Sequence, residues 1–165
     1  MQQTFIIGVD IGTTSTKAVL FSLKGQPIKK ENVGYSLLTP TPTIAEQDPD
    51  EIFSAVVKAI SNVVKTSNVD PANILGVSFS SAMHSLIAVD EKGRPLTNCI
   101  TWADNRSATW AQKIKQEMNG YDIYRRTGTP IHPMSPLAKI TWLRHEHREL
   151  FSKTSKFISI KECVF

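Results

Sequence analysis

The chain has 165 residues, 41% of them hydrophobic and 21% charged, with a formal net charge of +4. This composition suits one packed domain and excludes a disordered tract or a membrane-embedded chain. The basic residues are scattered, with no dense run interleaved with aromatics, so nucleic acid is not an expected partner and the charge amounts to a mild field favouring anions.

The N-terminal stretch predicts a β-hairpin. Residues 5–9 are β-branched and aromatic-rich, Gly12 interrupts them, and residues 16–21 resume an extended apolar pattern, which puts the polar cluster 10–15 on the connecting turn. After the Lys24-Gly25 turn signal, residues 28–35 predict a third antiparallel strand. Residues 39–50 carry Pro40, Pro42 and Pro49 and predict a loop. Asp48 ahead of Pro49 starts a helix in which Ile52, Phe53, Val56, Val57, Ile60, Val63 and Val64 recur at helical spacing, covering one face of the sheet.

Residues 74–80 predict a buried strand, and residues 86–90 and 99–101 two further short ones. A helix follows over 107–118 and a shorter one over 121–126, closed by Thr127-Gly128. Beyond a Pro-rich loop at 129–136, an amphipathic helix starts at Pro136 with Ser135 as its cap. Residues 156–160 predict a strand and 161–165 the start of a helix, an apolar-rich ending that reads as part of a longer protein. Cys99 and Cys163 lack metal or redox spacing, the N-terminus lacks a signal-peptide pattern, and no apolar run reaches a membrane span, so a reducing cytoplasm is the expected setting.

Two clusters carry chemistry. At the hairpin turn, Gly12 allows close backbone approach, successive N–H groups with the Thr13, Thr14 and Ser15 hydroxyls can surround phosphate oxygens, and Lys17 adds positive charge. Asp10 would be repelled by such a ligand unless a cation lay between them, which makes Mg2+ carried by a nucleotide its natural partner. A turn of this composition is also an ordinary structural hairpin, and turn chemistry alone leaves both readings open. The second cluster lies at two strand ends, with Ser81, Met83 and His84 at one and Trp102, Asp104, Asn105 and Arg106 at the other. An imidazole, a carboxylate, an amide, a guanidinium and an aromatic face suit a polyhydroxylated ligand. Read alone, His84 is equally a structural histidine, and Asp104 or Asn105 equally a helix cap.

The string Asp10-Ile11-Gly12-Thr13-Thr14-Ser15-Thr16-Lys17 resembles the phosphate-1 motif of the sugar kinase, Hsp70 and actin superfamily, whose turn runs back into a strand. Met83-His84 and Trp102-Ala103-Asp104-Asn105-Arg106 resemble sugar-binding segments of the FGGY carbohydrate kinases. Met134-Ser135-Pro136 followed by Lys139-Ile140-Thr141-Trp142-Leu143 resembles the first signature of that family, from which His145 departs. Within the family the chain looks most like the gluconate kinases. Xylulose and other polyol kinases are the alternative, and a nucleotide-binding module of the Hsp70 or actin type is the non-catalytic one.

The resemblance implies an α/β, ribonuclease H-like (actin-like ATPase) domain, its mixed sheet opening with a three-stranded antiparallel meander and carrying helices on its faces. It implies that residues 1–165 form an incomplete N-terminal kinase domain, whose partner is the remainder of the same protein. The implied reaction is ATP- and Mg2+-dependent phosphorylation of a sugar or sugar acid. Gly12, Thr13, Thr14, Ser15 and Lys17 would bind phosphate, Asp10 would orient the metal, and Ser81, Met83, His84, Trp102, Asp104, Arg106 and His132 would contact the acceptor. In the family the general base lies well downstream, so no residue here is given a catalytic role. Lys139 and Trp142 read as structural, and the oligomeric state, a homo-oligomer included, is left open.

Overall fold

The computed structural model describes residues 3–165, which fall into two compact units: residues up to 37 with 48–82 and 161–165, and residues 38–47 with 83–160. In chain order the elements are β1 (Phe5–Ile11), β2 (Ser15–Ser22), β3 (Pro27–Gly34), β4 (Glu46–Gln47), α1 (Pro49–Ser67), β5 (Ile74–Ser81), β6 (Ile87–Val89), β7 (Cys99–Ile100), α2 (Ala108–Glu117), α3 (Gly120–Thr127), α4 (Pro136–Glu146), α5 (Arg148–Lys153), β8 (Lys156–Ile158) and α6 (Ile160–Val164).

The first unit is a four-stranded sheet in the order β3-β2-β1-β5. β1, β2 and β3 pair antiparallel as the meander predicts, and β5 runs parallel to β1. Side chains alternate across a strand, so Phe5, Ile7, Val9 and Ile11 of β1 share a buried face with Thr16, Ala18 and Leu20 of β2. Over this face lies α1, contributing Ile52, Ala55, Val56, Ala59 and Val63. Its start is built as the sequence predicts, with the Asp48 carboxylate accepting the Asp50 N–H at 2.9 Å and Pro49 in the first turn.

Three expectations are corrected here. Alternation carries β1 and β2 further than residues 9 and 16, so Asp10 and Ser15 are strand residues and the turn is Gly12, Thr13 and Thr14 alone. The β5 strand is not buried: α1 covers β1 to β3, and Leu75 and Val77 stay 64% and 42% exposed on a strand with a neighbour on one side only. Phe53 and Val57 of α1 are likewise exposed, so the buried stripe is narrower than the apolar pattern.

The second unit contains two small antiparallel pairs, β4 with β7 and β6 with β8, joined by a bridge between Leu86 and Ile100. Its apolar contacts form two clusters. Ala111, Ile114, Ile131 and Ala138 tie α2 to α4 and the loop between, and Leu86, Ile100 and Leu143 gather Ile140, Trp142, Leu150, Phe151 and Phe157. The short β4 and α5 have no counterpart in the sequence reading, which takes the Pro-rich stretch leading to Asp48 as loop. Ser135 stands at the N-cap of α4, yet its buried hydroxyl makes no hydrogen bond.

Between α2 and α3 the backbone doubles back on itself. A Cβ on Gly120 would fall 2.6 Å from the Lys115 Cα and 2.8 Å from the Ile114 carbonyl oxygen, both of them backbone atoms unable to step aside. Gly120→Ala should therefore destabilise the protein by about 1–3 kcal/mol, read from the midpoint of denaturant unfolding, and an unchanged midpoint would show that the α2–α3 corner yields.

Candidate functional site

The turn after β1 is tight because the Gly12 N–H donates to the Ser15 carbonyl at 3.0 Å, and a Cβ on Gly12 would press to 3.2 Å of that same oxygen. Tyr35, just past β3, braces it from the side. Its hydroxyl donates to the Gly12 carbonyl at 2.5 Å and its N–H to the Thr14 carbonyl at 3.2 Å. Asp10 stands opposite Lys17 on β2 and beside Ser80 on β5. Both charged side chains are exposed, and neither has a hydrogen-bond or ion-pair partner among the described residues. They line a cavity of about 290 Å³ with Gly8, Phe21, Ser78 and Ser80. A lone unpartnered carboxylate fits a cation that arrives with its own oxygen ligands, as Mg2+ does on a nucleotide phosphate, and no group of three or more metal-ligating side chains occurs among the described residues. Ser81 belongs to this neighbourhood, ending β5 beside Ile11.

In the second unit the chain forms a fork. Leu86 and Ile100 exchange backbone hydrogen bonds of 3.0 and 2.8 Å as an isolated bridge, and the strand pairing stops there, short of His84 and Trp102. His84 has φ of 63°, a left-handed conformation that costs a side-chain-bearing residue about 1–2 kcal/mol. Met83 and Trp102 are well exposed, at 74% and 48%. His132 is exposed too. Its Nδ1 accepts the Met134 N–H at 3.1 Å, so a neutral His132 carries its proton on Nε2.

Behind the Trp102 prong lies a charged knot. Asp104, 1% exposed, accepts the Ala45 N–H at 3.0 Å, the Arg106 N–H at 3.1 Å and the Arg106 Nε at 2.9 Å. Arg106 also pairs with Glu46 and lies 4.9 Å from the centre of the Trp142 ring. Burial pulls the Arg106 guanidinium down, while hydrogen bonds to Asp104 and Glu46 and their charges push it up, and the net direction is upward. Lys139, at 1% exposure, donates from Nζ to the carbonyls of His84 at 2.7 Å, Thr101 at 2.8 Å and Ile100 at 3.4 Å.

A protein-family model described as the FGGY family of carbohydrate kinases, N-terminal domain, matches residues 5–165. This chain belongs to that family. A gluconokinase of Bacillus licheniformis is 57% identical to this FGGY chain over 162 residues, which are 98% of this chain and 31% of the relative. Among solved structures, a gluconate kinase and a ligand-bound xylulose kinase, both from Lactobacillus acidophilus, superimpose with TM-scores of 0.93 and 0.92; each is 41% identical and is matched over 98% of this chain and 32% of its own. The FGGY chain thus spans about a third of the length of the relatives it matches. Its fold is the actin-like α/β fold of the FGGY sugar kinases, here with the mixed sheet and helices described above.

The sequence-named residues divide between the two units. Asp10, Gly12, Thr13, Thr14, Ser15, Lys17 and Ser81 gather at the first unit's turn, so Ser81 parts from the other acceptor candidates. Met83, His84, Trp102, Asp104, Arg106 and His132 lie in the second unit. Asp104 is turned inward and is not a cap of α2: Ser107 holds that position, with its hydroxyl donating to the Pro133 carbonyl at 2.8 Å. Sequence reading missed Tyr35 as a brace and Glu46 as the partner of Arg106. Nothing periodic marks either, although Glu46 sits beside the recognised Asp48-Pro49 cap.

Two measurements follow from this geometry. Asp104→Ala leaves the Ala45 N–H unanswered and Arg106 with half its carboxylates, and should cost about 3 kcal/mol in urea unfolding; a loss below about 1 kcal/mol would make the knot superficial. Burial pushes Lys139 down from 10.5 to about 8, opposed by Asp104 and Cys99 and helped by Arg106. Between these values the unfolded chain keeps a proton that the folded chain has released, so this group adds stability as pH rises from about 8 toward 10.5. Across that window the unfolding free energy of the wild type relative to Lys139→Met should climb by up to about 3 kcal/mol, whereas a flat difference would contradict the shift.

Proposed function

We propose that the full-length protein carrying this chain is a cytoplasmic gluconate kinase, transferring the γ-phosphate of Mg·ATP to the terminal hydroxyl of the sugar acid. The observation that carries this is 57% identity to a gluconokinase across 98% of the chain, including the turn and the fork. Residues 1–165 are then the opening part of the N-terminal kinase domain, with the general base and most of the adenosine pocket elsewhere in the polypeptide.

Each residue has a task in this scheme. Backbone N–H groups around Gly12, the hydroxyls of Thr13, Thr14 and Ser15, and the Lys17 ammonium hold the phosphates, while Asp10 orients the Mg2+ that arrives with ATP through water. That cation neutralises charge on the phosphoryl oxygens. Met83, His84, Trp102 and His132 bind the acceptor, the aromatic face taking C–H surface and the imidazoles hydroxyl groups, and Ser81 closes the phosphate side. Arg106 presents its remaining N–H donors, and Asp104 acts by fixing Arg106. Holding nucleotide and acceptor in line supplies the chain's share of the rate.

A second acceptor, xylulose, is favoured by the equal 41% identity to the xylulose kinase structure. A panel of gluconate, xylulose and glycerol with Mg·ATP, followed by coupled ADP release from the full-length enzyme, separates the two. Gluconate should lead in kcat/KM by about tenfold or more, and a xylulose lead would reassign the acceptor. Asp10→Ala should lower kcat by about a hundredfold with the fold intact, and an unchanged rate at saturating Mg·ATP would remove its role.

A further inference from the structure

If the antiparallel pairing of Leu86 with Ile100 continued outward, His84 would come to lie across from Trp102. Instead His84 turns left-handed and the pairing stops at Leu86 and Ile100; the Ile100 and Thr101 carbonyls accept the Leu86 N–H at 3.0 Å and the Asp104 N–H at 3.2 Å, and each keeps a second lone pair. Lys139 reaches both arms from α4. An ammonium has three protons, and the carbonyls of His84, Thr101 and Ile100 are three acceptors on the two arms of the fork.

Filling space does not account for this residue. Its neighbours Ala138 and Leu143 are buried and apolar, and a lysine without a paired carboxylate is an unfavourable group to bury unless its protons are all answered. What the ammonium adds over an apolar side chain is direction. The His84 carbonyl belongs to the peptide leaving His84, and the Thr101 carbonyl to the peptide entering Trp102, so one point charge fixes both peptides against each other.

We propose that Lys139 is a positioning residue for acceptor recognition, setting the spacing and orientation of His84 and Trp102 while touching neither acceptor nor nucleotide. This rests on the fork being the acceptor site. In the full-length enzyme, Lys139→Met should raise KM for the acceptor selected by the panel by about tenfold to a hundredfold and leave KM for Mg·ATP within about twofold. Lys139→Gln, whose amide can answer two of the three carbonyls, should fall between. A lysine needed only for stability would lower the melting temperature and the yield of active enzyme without moving either KM. That result, an equal rise in both KM values, or loss of folded enzyme in both variants overturns the proposal. A wild type without sugar-dependent turnover removes the acceptor reading itself, and the role of Lys139 falls with it. Wild-type turnover with an unmoved acceptor KM in the variants removes the role of Lys139 alone.

Discussion

A carboxylate taken out of water has to be answered on all sides, and Asp104 organises the second unit around that requirement. Its oxygens collect a backbone N–H from the segment at Ala45, the N–H and guanidinium of Arg106, and through Arg106 the carboxylate of Glu46. The loop at 43–47 is thereby fastened to the corner at 101–106, with added backbone bonds from Thr101 to Ala45 and from Asn105 to Thr43. With Trp142 under the guanidinium, α4 joins the same assembly. Buried ion pairs of this kind add little net stability compared with apolar packing, but removing one member is severe, and they hold geometry in a defined way.

The two candidate binding features are built by opposite means. The turn is local: a glycine, a two-residue loop-back and the Tyr35 brace shape it, and its charged groups remain in water. The fork is assembled from segments far apart in sequence, and its charged groups Asp104 and Lys139 are inside, with the exposed surface left to Met83 and Trp102. Phosphate suits the first arrangement, because solvated backbone amides and an ammonium meet an ion of high charge. An array of hydroxyls suits the second, because discrimination among polyhydroxylated acceptors depends on a few donors and acceptors held at fixed positions.

This contrast also explains what could be read in the sequence. The meander and α1 were legible, since alternation at Phe5, Ile7 and Val9 and helical spacing at Ile52, Val56 and Val63 are periodic signals that the structure uses directly. The turn was legible as a motif, although the strands run through Asp10 and Ser15. Glu46 was not, because a lone acid at the end of a Pro-rich loop shows nothing of an arginine sixty positions away in sequence. Lys139 reads as structural, and the three carbonyls gathered about it reveal what it holds. The exposure of β5 was hidden for the reverse reason. A continuous apolar run signals burial, whereas in residues 3–165 Phe165 meets the strand at Phe79, with ring centres 5.0 Å apart, and Leu75 and Val77 stay exposed.

That uncovered strand bears on how the polypeptide is made. β5 offers an open row of amides and carbonyls, with Leu75 and Val77 in solvent, which is the kind of edge along which chains add to one another. While residues 3–165 stand alone, during synthesis or after proteolytic release, one adhesive edge is β5, the parallel strand beside β1, which itself ends in the Gly12 turn. Chaperone occupancy or self-association at that edge would act first on the element leading from β5 into Ser81, so the safety of folding and the shape of the neighbouring turn are linked through one strand.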